Sequence, residues 1–308
     1  MLPKFSILIP AFKATYLRKC LNSICEQSYD NWEVVLVDDC SPEDIKTIVQ
    51  SYSDTRIYYY RNEHNYGAIN VVDNWNKCLA YATGDYCICI GDDDMLPHES
   101  LKVYAQYIEK YPSVNVFHAR TILIDQNDIP FYVTNARAEF ESVYSLIRYR
   151  MKDEYQFVGD FCYKITKLRE LGGYIKFPLA WGSDDVTAYA MAENRGIVNL
   201  IEPSFYYRVN TLSITSTGNI GIKIKATNLQ RSWFNDFFSR QSPQALVDSL
   251  ALDDIKHGIN KYLDKKIVGY LSFDIKKNRL HLLSWIFKRK KMKITKSMLL
   301  LGILKSFK

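Results

Sequence analysis

Residues 86–96 read Tyr-Cys-Ile-Cys-Ile-Gly-Asp-Asp-Asp-Met-Leu, a short apolar run followed directly by three aspartates. The apolar half has the length and composition of a buried strand. Three adjacent carboxylates repel one another, so their position at the end of a buried strand favours a cation that balances their charge. Such hard oxygen ligands suit Mg²⁺ or Mn²⁺, which would in turn hold phosphates. The simpler alternative is an acidic turn in which Asp94 caps the helix that follows Pro97.

The sequence on both sides of this stretch alternates between strand and helix patterns. Apolar runs predict strands at 5–10, 32–37, 56–61, 86–90 and 114–125. Helical spacing predicts helices at 14–28, at 68–82, at 98–111 and directly after Ser41, which is the expected N-cap. This alternation with short connections predicts an α/β fold with a Rossmann-like, mostly parallel sheet flanked by helices. Ligands bind at the carboxyl ends of the strands in such sheets.

The pattern changes twice further along the chain. Residues 130–180 are rich in aromatic side chains and show no clear period, and order returns with a helix at 186–195 and a strand at 197–201. Beyond residue 218 the segments are amphipathic and helical. We therefore expect a principal domain at 1–217 and a helical, basic C-terminal extension at 218–308.

Positive charge is concentrated at the C-terminus. Residues 276–308 contain eleven of the 40 basic residues and none of the 34 acidic ones, so the net charge is +6 for the chain and −5 for residues 1–275. Because this charge sits in a terminal segment, we expect no nucleic-acid partner. Aromatic and aliphatic residues beside the lysines are typical of an interfacial anchor on an anionic membrane. The alternative is a helix that packs on the domain with a solvated basic face.

The cysteines and the N-terminus indicate the compartment. The seven cysteines lie mostly inside apolar patterns and form no CxxC pair, which is typical of buried thiols in a reducing environment. The first residues lack the long apolar core of a signal peptide, and no stretch is long enough to span a bilayer. The expected location is cytoplasmic, either free or peripheral on the cytosolic face of a membrane.

Three further polar clusters follow predicted strands or precede a predicted helix. Asp39 closes the second strand, where a carboxylate can accept the N3–H of a uracil ring. Gly67, in the loop after the third strand, permits close approach of the backbone to a ligand, although a plain turn explains it equally well. Asp184 and Asp185 precede a helix whose N-terminus favours acidic residues in any case.

Taken in order, these segments resemble inverting glycosyltransferase family 2, of the GT-A fold, across about residues 4–215. The resemblance rests on five blocks: SILIPAFK at 6–13, VVLVDDCSPED at 34–44, GDY at 84–86 with GDDD at 91–94, LGGY at 171–174 with DD at 184–185, and YYR at 206–208 with SIT at 213–215.

The resemblance implies that the 1–217 domain moves a sugar from a nucleotide-sugar, a UDP-sugar above all, to a hydroxyl of a glycan or lipid-linked acceptor in cell-surface polysaccharide synthesis. It implies Mn²⁺ or Mg²⁺ as the cofactor. It also assigns site residues: Pro10, Phe12, Asp39, Asn65, Gly67 and Asp92 to the donor nucleotide, Asp93 and Asp94 to the metal, Asp185 to the catalytic base, and Trp181 and Asp184 to the acceptor side.

Three positions depart from the family pattern. Gly91 stands where many members have the first aspartate of a DxD motif, which leaves open which two of the three following aspartates bind the metal. Asp184 replaces the usual glutamate beside the base, and Asn210 stands where many members have histidine.

Two other functions are compatible with parts of this pattern. A metal-dependent nucleotidyltransferase would need a basic, glycine-rich phosphate loop after the first strand, and residues 10–14 lack one. A degenerate transferase that binds sugar nucleotides or glycans without turnover is the second alternative. The intact Asp93, Asp94 and Asp185 argue against it.

Overall fold

The computed structural model describes residues 2–152, 154–210 and 219–307. Within these residues the strands are β1 Phe5–Ala11, β2 Trp32–Asp38, β3 Ile57–Arg61, β4 Tyr86–Cys89, β5 Val116–Ile124, β6 Pro130–Val133, β7 Phe140–Glu141, β8 Phe161–Lys164 and β9 Ile197–Arg208. They form a single sheet in the order β3-β2-β1-β4-β8-β5-β9-β7, with β6 paired to β5 beside this path.

The sheet is mixed. Strands β1 to β4 pair in parallel, as do β5 and β9. Strand β8 is antiparallel to both β4 and β5. The short strand β6 pairs antiparallel with β5, and β7 pairs antiparallel with β9. The predicted α/β fold is confirmed. The antiparallel strands come from the 130–180 stretch, where strands of two to four residues are too short to show a period in the sequence.

Helices cover both faces of the sheet and continue beyond it. Their bounds are α1 Leu17–Cys25, α2 Ile45–Gln50, α3 Val71–Tyr81, α4 Ser100–Lys110, α5 Val143–Arg150, α6 Ile165–Glu170, α7 Ser183–Ala192, α8 Ile220–Ser239, α9 Leu246–Lys277, α10 His281–Lys288 and α11 Lys296–Ser306.

The period of two along the central strands produces two apolar cores. In the β4 segment, Tyr86 and Ile88 point to the core under α1, α2 and α4, and Cys87 and Cys89 point to the core under α3, α5, α6 and α7. Each fully buried apolar side chain contributes roughly 1.5–3 kcal/mol, so both faces must stay covered. The strand is therefore fixed in register, and its carboxyl end at Gly91 is fixed with it.

The prediction that Ser41 is the N-cap of α2 is wrong. Asp44 caps this helix by accepting a hydrogen bond from the backbone N–H of Thr47. The hydroxyl of Ser41 instead donates to the carbonyl of Phe12, so Ser41 joins the turns that follow β1 and β2. The alternative in which Asp94 caps α4 is not observed: Glu99 precedes that helix, and it makes no side-chain cap bond.

The C-terminal helices are continuous with the core. The first half of α9 packs into the apolar core that α5 and α7 also share. Its second half forms a further cluster with α8, α10 and α11, which buries Leu271, Trp285 and Met298. The expected boundary at 217/218 lies at the edge of residues 211–218, outside the described residues, so the division into two domains stays a prediction. No helix in the described ranges is both long and apolar enough to cross a bilayer.

Candidate functional site

A cleft of about 720 Å³ opens at the carboxyl ends of β1, β2 and β4. All eleven site residues proposed from the sequence line it: Pro10, Phe12, Asp39, Asn65, Gly67, Asp92, Asp93, Asp94, Trp181, Asp184 and Asp185. Residues up to 175 positions apart in sequence are thus brought to one cavity. The roles assigned to them stay predictions.

Asp39 stabilises one wall of the cleft through hydrogen bonds. Its Oδ1 accepts hydrogen bonds from Asn62 Nδ2 at 2.8 Å and from the backbone N–H of Tyr66 at 2.9 Å. Its Oδ2 accepts a longer one, 3.3 Å, from the N–H of Gly67, whose φ of +69° suits glycine. The neighbouring Asp38 bonds Tyr59 and Arg61 instead. The two adjacent aspartates therefore have different hydrogen-bond partners, and Asp39 is the one that lines the cleft.

Asp92 stabilises the turn after β1 through hydrogen bonds. Its Oδ2 accepts hydrogen bonds from the backbone N–H groups of Phe12 at 2.6 Å and Lys13 at 2.7 Å. Burial, together with the charge of Asp93, raises the pKa of Asp92 to about 7. The carboxylate thus holds two elements of the cleft together despite the cost of burying its charge.

Asp93 and Asp94 converge on the space that Gly91 leaves open. A Cβ at Gly91 would lie 2.7 Å from Asp93 Oδ1 and 3.0 Å from Asp94 Oδ2. Asp94 also accepts from the backbone N–H groups of Gly91 and Arg208, and Asp93 Oδ2 accepts from the amide of Asn210 at 2.5 Å. Any side chain at position 91 would push these two carboxylates apart.

This donor set fits a divalent cation completed by a ligand. Among the described residues, no three histidine, cysteine, aspartate or glutamate side chains form a ready metal-binding group. Mg²⁺, however, is usually held by one or two carboxylates together with substrate phosphates and water. Burial and the charge of Asp93 raise the pKa of Asp94 well above its ordinary value, as expected where carboxylates are buried side by side.

Asp185 lies in the first turn of α7 and is almost fully buried. Its Oδ1 accepts hydrogen bonds from Arg150 Nε and Gln156 Nε2, both at 2.9 Å. Arg150 also donates to the carbonyl of Glu154, so one guanidinium joins α5, the following loop and α7. The negative charge of Asp185 is therefore compensated by the guanidinium of Arg150.

Asp184 is less buried and lies beside it. Burial, followed by the charge of Asp185, raises the pKa of Asp184 to about 7, while Arg150 and Lys266 act in the opposite direction. The two adjacent carboxylates thus have different surroundings.

Sequence reasoning missed three charged or polar residues of this wall, namely Arg150, Gln156 and Lys266. The first two lie in the 130–180 stretch without a period, and Lys266 comes from α9. Only the tertiary structure brings them to Asp184 and Asp185. No local pattern marks them, since a single arginine or lysine on an amphipathic helix is usually solvated.

Trp181 is held in place by the C-terminal helices. Its indole Nε1 donates to the hydroxyl of Tyr270 at 2.7 Å, and its carbonyl accepts from Gln230 Nε2 at 2.7 Å. Lys223 Nζ lies 4.3 Å from the ring centroid. Helices α8 and α9 therefore form part of the site as well as covering the sheet.

Comparison with known proteins gives a family match and a fold match. The protein-family sequence model described as "Glycosyl transferase family 2" matches residues 6–168. A GalNAc(5)-diNAcBac-PP-undecaprenol beta-1,3-glucosyltransferase of Campylobacter jejuni is 32% identical over 108 residues, 34% of this chain and 34% of that protein. The Escherichia coli UDP-Glc:alpha-D-GlcNAc-diphosphoundecaprenol beta-1,3-glucosyltransferase WfgD is 27% identical over 125 residues, 40% of this chain and 48% of that protein. The chain thus spans a third to a half of the length of these relatives.

The crystal structure of S. aureus TarS 1-349 in complex with UDP-GlcNAc superposes with a TM-score of 0.68 at 16% identity. The superposition covers 97% of this chain and 90% of that one. At this level of identity the likeness concerns the fold, and it includes the C-terminal helices.

Replacing Asp184 with Asn should stabilise the protein, and more strongly as the pH rises. The folded-state pKa of about 7 lies above the ordinary value of 3.8, so the unfolded chain releases this proton at lower pH than the folded protein. Wild-type stability should therefore fall between about pH 4 and pH 7, and Asn removes this loss. Melting curves at pH 4 and pH 8 should show a higher Tm for Asp184→Asn only at pH 8. The exposed Asp236→Asn on α8 should melt like the wild type at both values; an equal Tm for wild type and Asp184→Asn at pH 8 would contradict the assignment.

Proposed function

The chain belongs to glycosyl transferase family 2, and from that premise we propose that it transfers a sugar with inversion from a UDP-sugar to a hydroxyl of a glycan or lipid-linked acceptor. The observation that carries this proposal is the arrangement of the cleft. At the end of β4, burial and the charge of Asp93 raise the pKa values of Asp92 and Asp94, and a separate carboxylate, Asp185, is held by Arg150 and Gln156. An inverting transfer needs both: a site for the diphosphate and a base for the acceptor.

We assign the donor nucleotide to the β1–β2 side of the cleft. Asp39 Oδ2 takes part in one long hydrogen bond and keeps capacity to accept the uracil N3–H. Pro10, Phe12, Asn65 and Gly67 line the same region. Asp92 joins this group because it holds the turn at Phe12 and faces the cleft.

We assign Mn²⁺ or Mg²⁺ to Asp93 and Asp94, whose oxygens converge above Gly91. When bound, such a cation offsets the negative charge that grows on the departing nucleoside diphosphate. The chain's own contribution is to hold the two carboxylates in place through the backbone N–H groups of Gly91 and Arg208 and the amide of Asn210.

Asp185 is the proposed general base. Both of its hydrogen bonds from Arg150 and Gln156 go to Oδ1, so Oδ2 is the oxygen that takes the proton of the acceptor hydroxyl. The acceptor oxygen forms the new bond to the anomeric carbon as the bond from that carbon to the diphosphate oxygen breaks. The proton ends on Asp185, and UDP leaves. Trp181 and Asp184 form the acceptor side of this wall.

We propose that the acceptor is carried on a lipid in cell-surface polysaccharide synthesis and that the protein works on the cytosolic face of a membrane. Two relatives carry undecaprenol-linked acceptors in their names. The basic tail, residues 276–308, buries Trp285, Met298 and Leu299 against α8 and α9. Its other face leaves large apolar residues more than half exposed: Leu280, Leu283, Phe287, Leu300, Leu301, Leu304 and Phe307. Packing and membrane contact are thus compatible, since different faces of the tail serve each.

Asp185→Asn should nearly abolish transfer while leaving UDP affinity within a few-fold of wild type. A base acts in the transition state, so its removal lowers kcat, by on the order of 10²–10⁴. Asp184→Asn should be milder. The measurements are kcat with the UDP-sugar and acceptor found by screening, and UDP calorimetry. Near wild-type transfer by Asp185→Asn would place the base elsewhere. A wild type that binds UDP but never turns over would support the non-catalytic alternative.

UDP should bind more tightly with Mn²⁺ or Mg²⁺ than with EDTA, and both Asp93→Asn and Gly91→Ala should remove most of that gain. Asn weakens the charge at the cation, and the alanine Cβ would displace both carboxylates. Calorimetric titrations of UDP measure the difference, with the exposed Asp236→Asn as a control that keeps the gain. Equal wild-type affinities with and without the cation would rule out the metal role.

Phe287→Glu should weaken binding to phosphatidylglycerol vesicles by at least about tenfold, because burying one large apolar side chain contributes roughly 1.5–3 kcal/mol. Phe287 is 85% exposed, so the substitution should not disturb folding. Cosedimentation at low salt is the measurement. Leu246→Glu, at the other end of α9 and 73% exposed, is the matched control and should bind like wild type. A wild type that does not bind these vesicles would leave the tail as a packing element only.

A further inference from the structure

Four aromatic side chains form a row that leads out of the cleft. Tyr207 stacks on Phe157 with ring centroids 3.7 Å apart and an interplanar angle of 15°. Phe157 stacks on Tyr155 at 6.0 Å and 13°, and Tyr132 of β6 meets Tyr155 edge-on at 5.6 Å. Tyr207, Phe157 and Tyr155 line the cleft. These four residues are called the aromatic row.

The outer end of the aromatic row is exposed. Tyr155 is 52% exposed and its neighbour Tyr132 is 37% exposed, and Ile129 and Phe131 of the same β5–β6 hairpin are 59% and 58% exposed. Exposed aromatic surface beside a cleft is a candidate binding site. Because the row begins inside the cleft and ends outside it, its ligand is one that occupies the cleft and extends beyond it.

The chemistry of the row favours a saccharide chain. The rings are flat and uncharged, and a pyranose ring offers a matching apolar C–H face with hydroxyl groups at its edge. Tyrosine adds a polar group to each apolar ring, so it suits a ligand that is apolar on its face and polar at its rim. Glu154, which also lines the cleft beside Tyr155, disfavours an anionic polymer there.

The same loop is tied to the proposed base. Gln156, between the two stacked residues Tyr155 and Phe157, donates to Asp185 Oδ1 at 2.9 Å. Arg150 bonds both the carbonyl of Glu154 and Asp185. A sugar that stacks on Tyr155 is therefore held at a fixed position relative to Asp185.

We propose that the aromatic row is the acceptor subsite and that it binds the saccharide chain of the acceptor by stacking a sugar ring on Tyr155. This places the sugar that carries the reacting hydroxyl next to Asp185, a step that rests on the proposed function. The row thus selects an acceptor that already carries a glycan over one with a bare lipid or a polyol-phosphate chain.

The test uses the full-length protein, saturated with UDP and Mn²⁺, on a printed array of defined bacterial oligosaccharides. Wild type should bind a subset of these glycans. Tyr155→Ala should lose about tenfold or more in affinity for the best of them, measured by titration, and Tyr155→Trp should restore it because the stacking ring returns. Phe273→Ala removes a ring of similar exposure on α9 and should bind like wild type.

Each other outcome is decisive. UDP calorimetry on the same samples separates the two proposals: failure to bind UDP counts against the proposed function. UDP binding with no glycan captured, or with glycan affinity unchanged in Tyr155→Ala, overturns the subsite alone. A loss of vesicle binding or of self-association in Tyr155→Ala, with glycan binding intact, would assign the row to a membrane or to a second copy and also overturn it.

Discussion

Burial of the three aspartates after β4 is the constraint on which the rest of the cleft depends. Their mutual repulsion is offset by backbone N–H groups from separate parts of the chain, namely Phe12 and Lys13 after β1 and Arg208 at the end of β9. The acidic loop therefore joins the first and last long strands of the sheet. Each of these bonds is strongest while the carboxylates are ionised, and burial opposes that ionisation. A bound cation would relieve this conflict, which supports the proposed metal site.

Around Asp185, the cost of burying a carboxylate is offset in a different way. Its charge is neutralised within the protein by Arg150, and the neighbouring amide of Gln156 fixes the remaining orientation. A carboxylate that must accept a proton benefits from a fixed position more than from a mobile counter-ion. The contrast between a cluster of mutually repelling carboxylates and a single carboxylate paired with an arginine supports assigning the diphosphate to the first and the proton transfer to the second.

The features that sequence could predict are those that local chemistry determines. Asp39 and Asp92 follow short apolar runs that predict buried strands, and parallel strands bring their carboxyl ends to one edge. Arg150 and Gln156 could not be found, because their partner Asp185 is 29 or more positions away and only the packing of α5 against α7 joins them. The predicted cap at Ser41 is wrong because α2 begins three residues further on, after Asp44, and the Ser41 hydroxyl bonds the carbonyl of Phe12 and the N–H of Glu43 instead. Residues 213–215 of the last family block lie outside the described residues.

Helix α9 has a geometrical consequence for how the protein meets its surroundings. The same rigid rod carries Lys266 and Tyr270 at the cleft wall and ends at Lys277, where the basic tail begins. Beyond that end the chain folds back along the second half of the helix, where Trp285 and Met298 pack with Leu271. The position of the tail relative to Trp181 is therefore set by this packing. If the tail rests on a membrane, as proposed, an acceptor anchored there must span the distance from the tail to the catalytic residues, so the C-terminal helices set its minimum length.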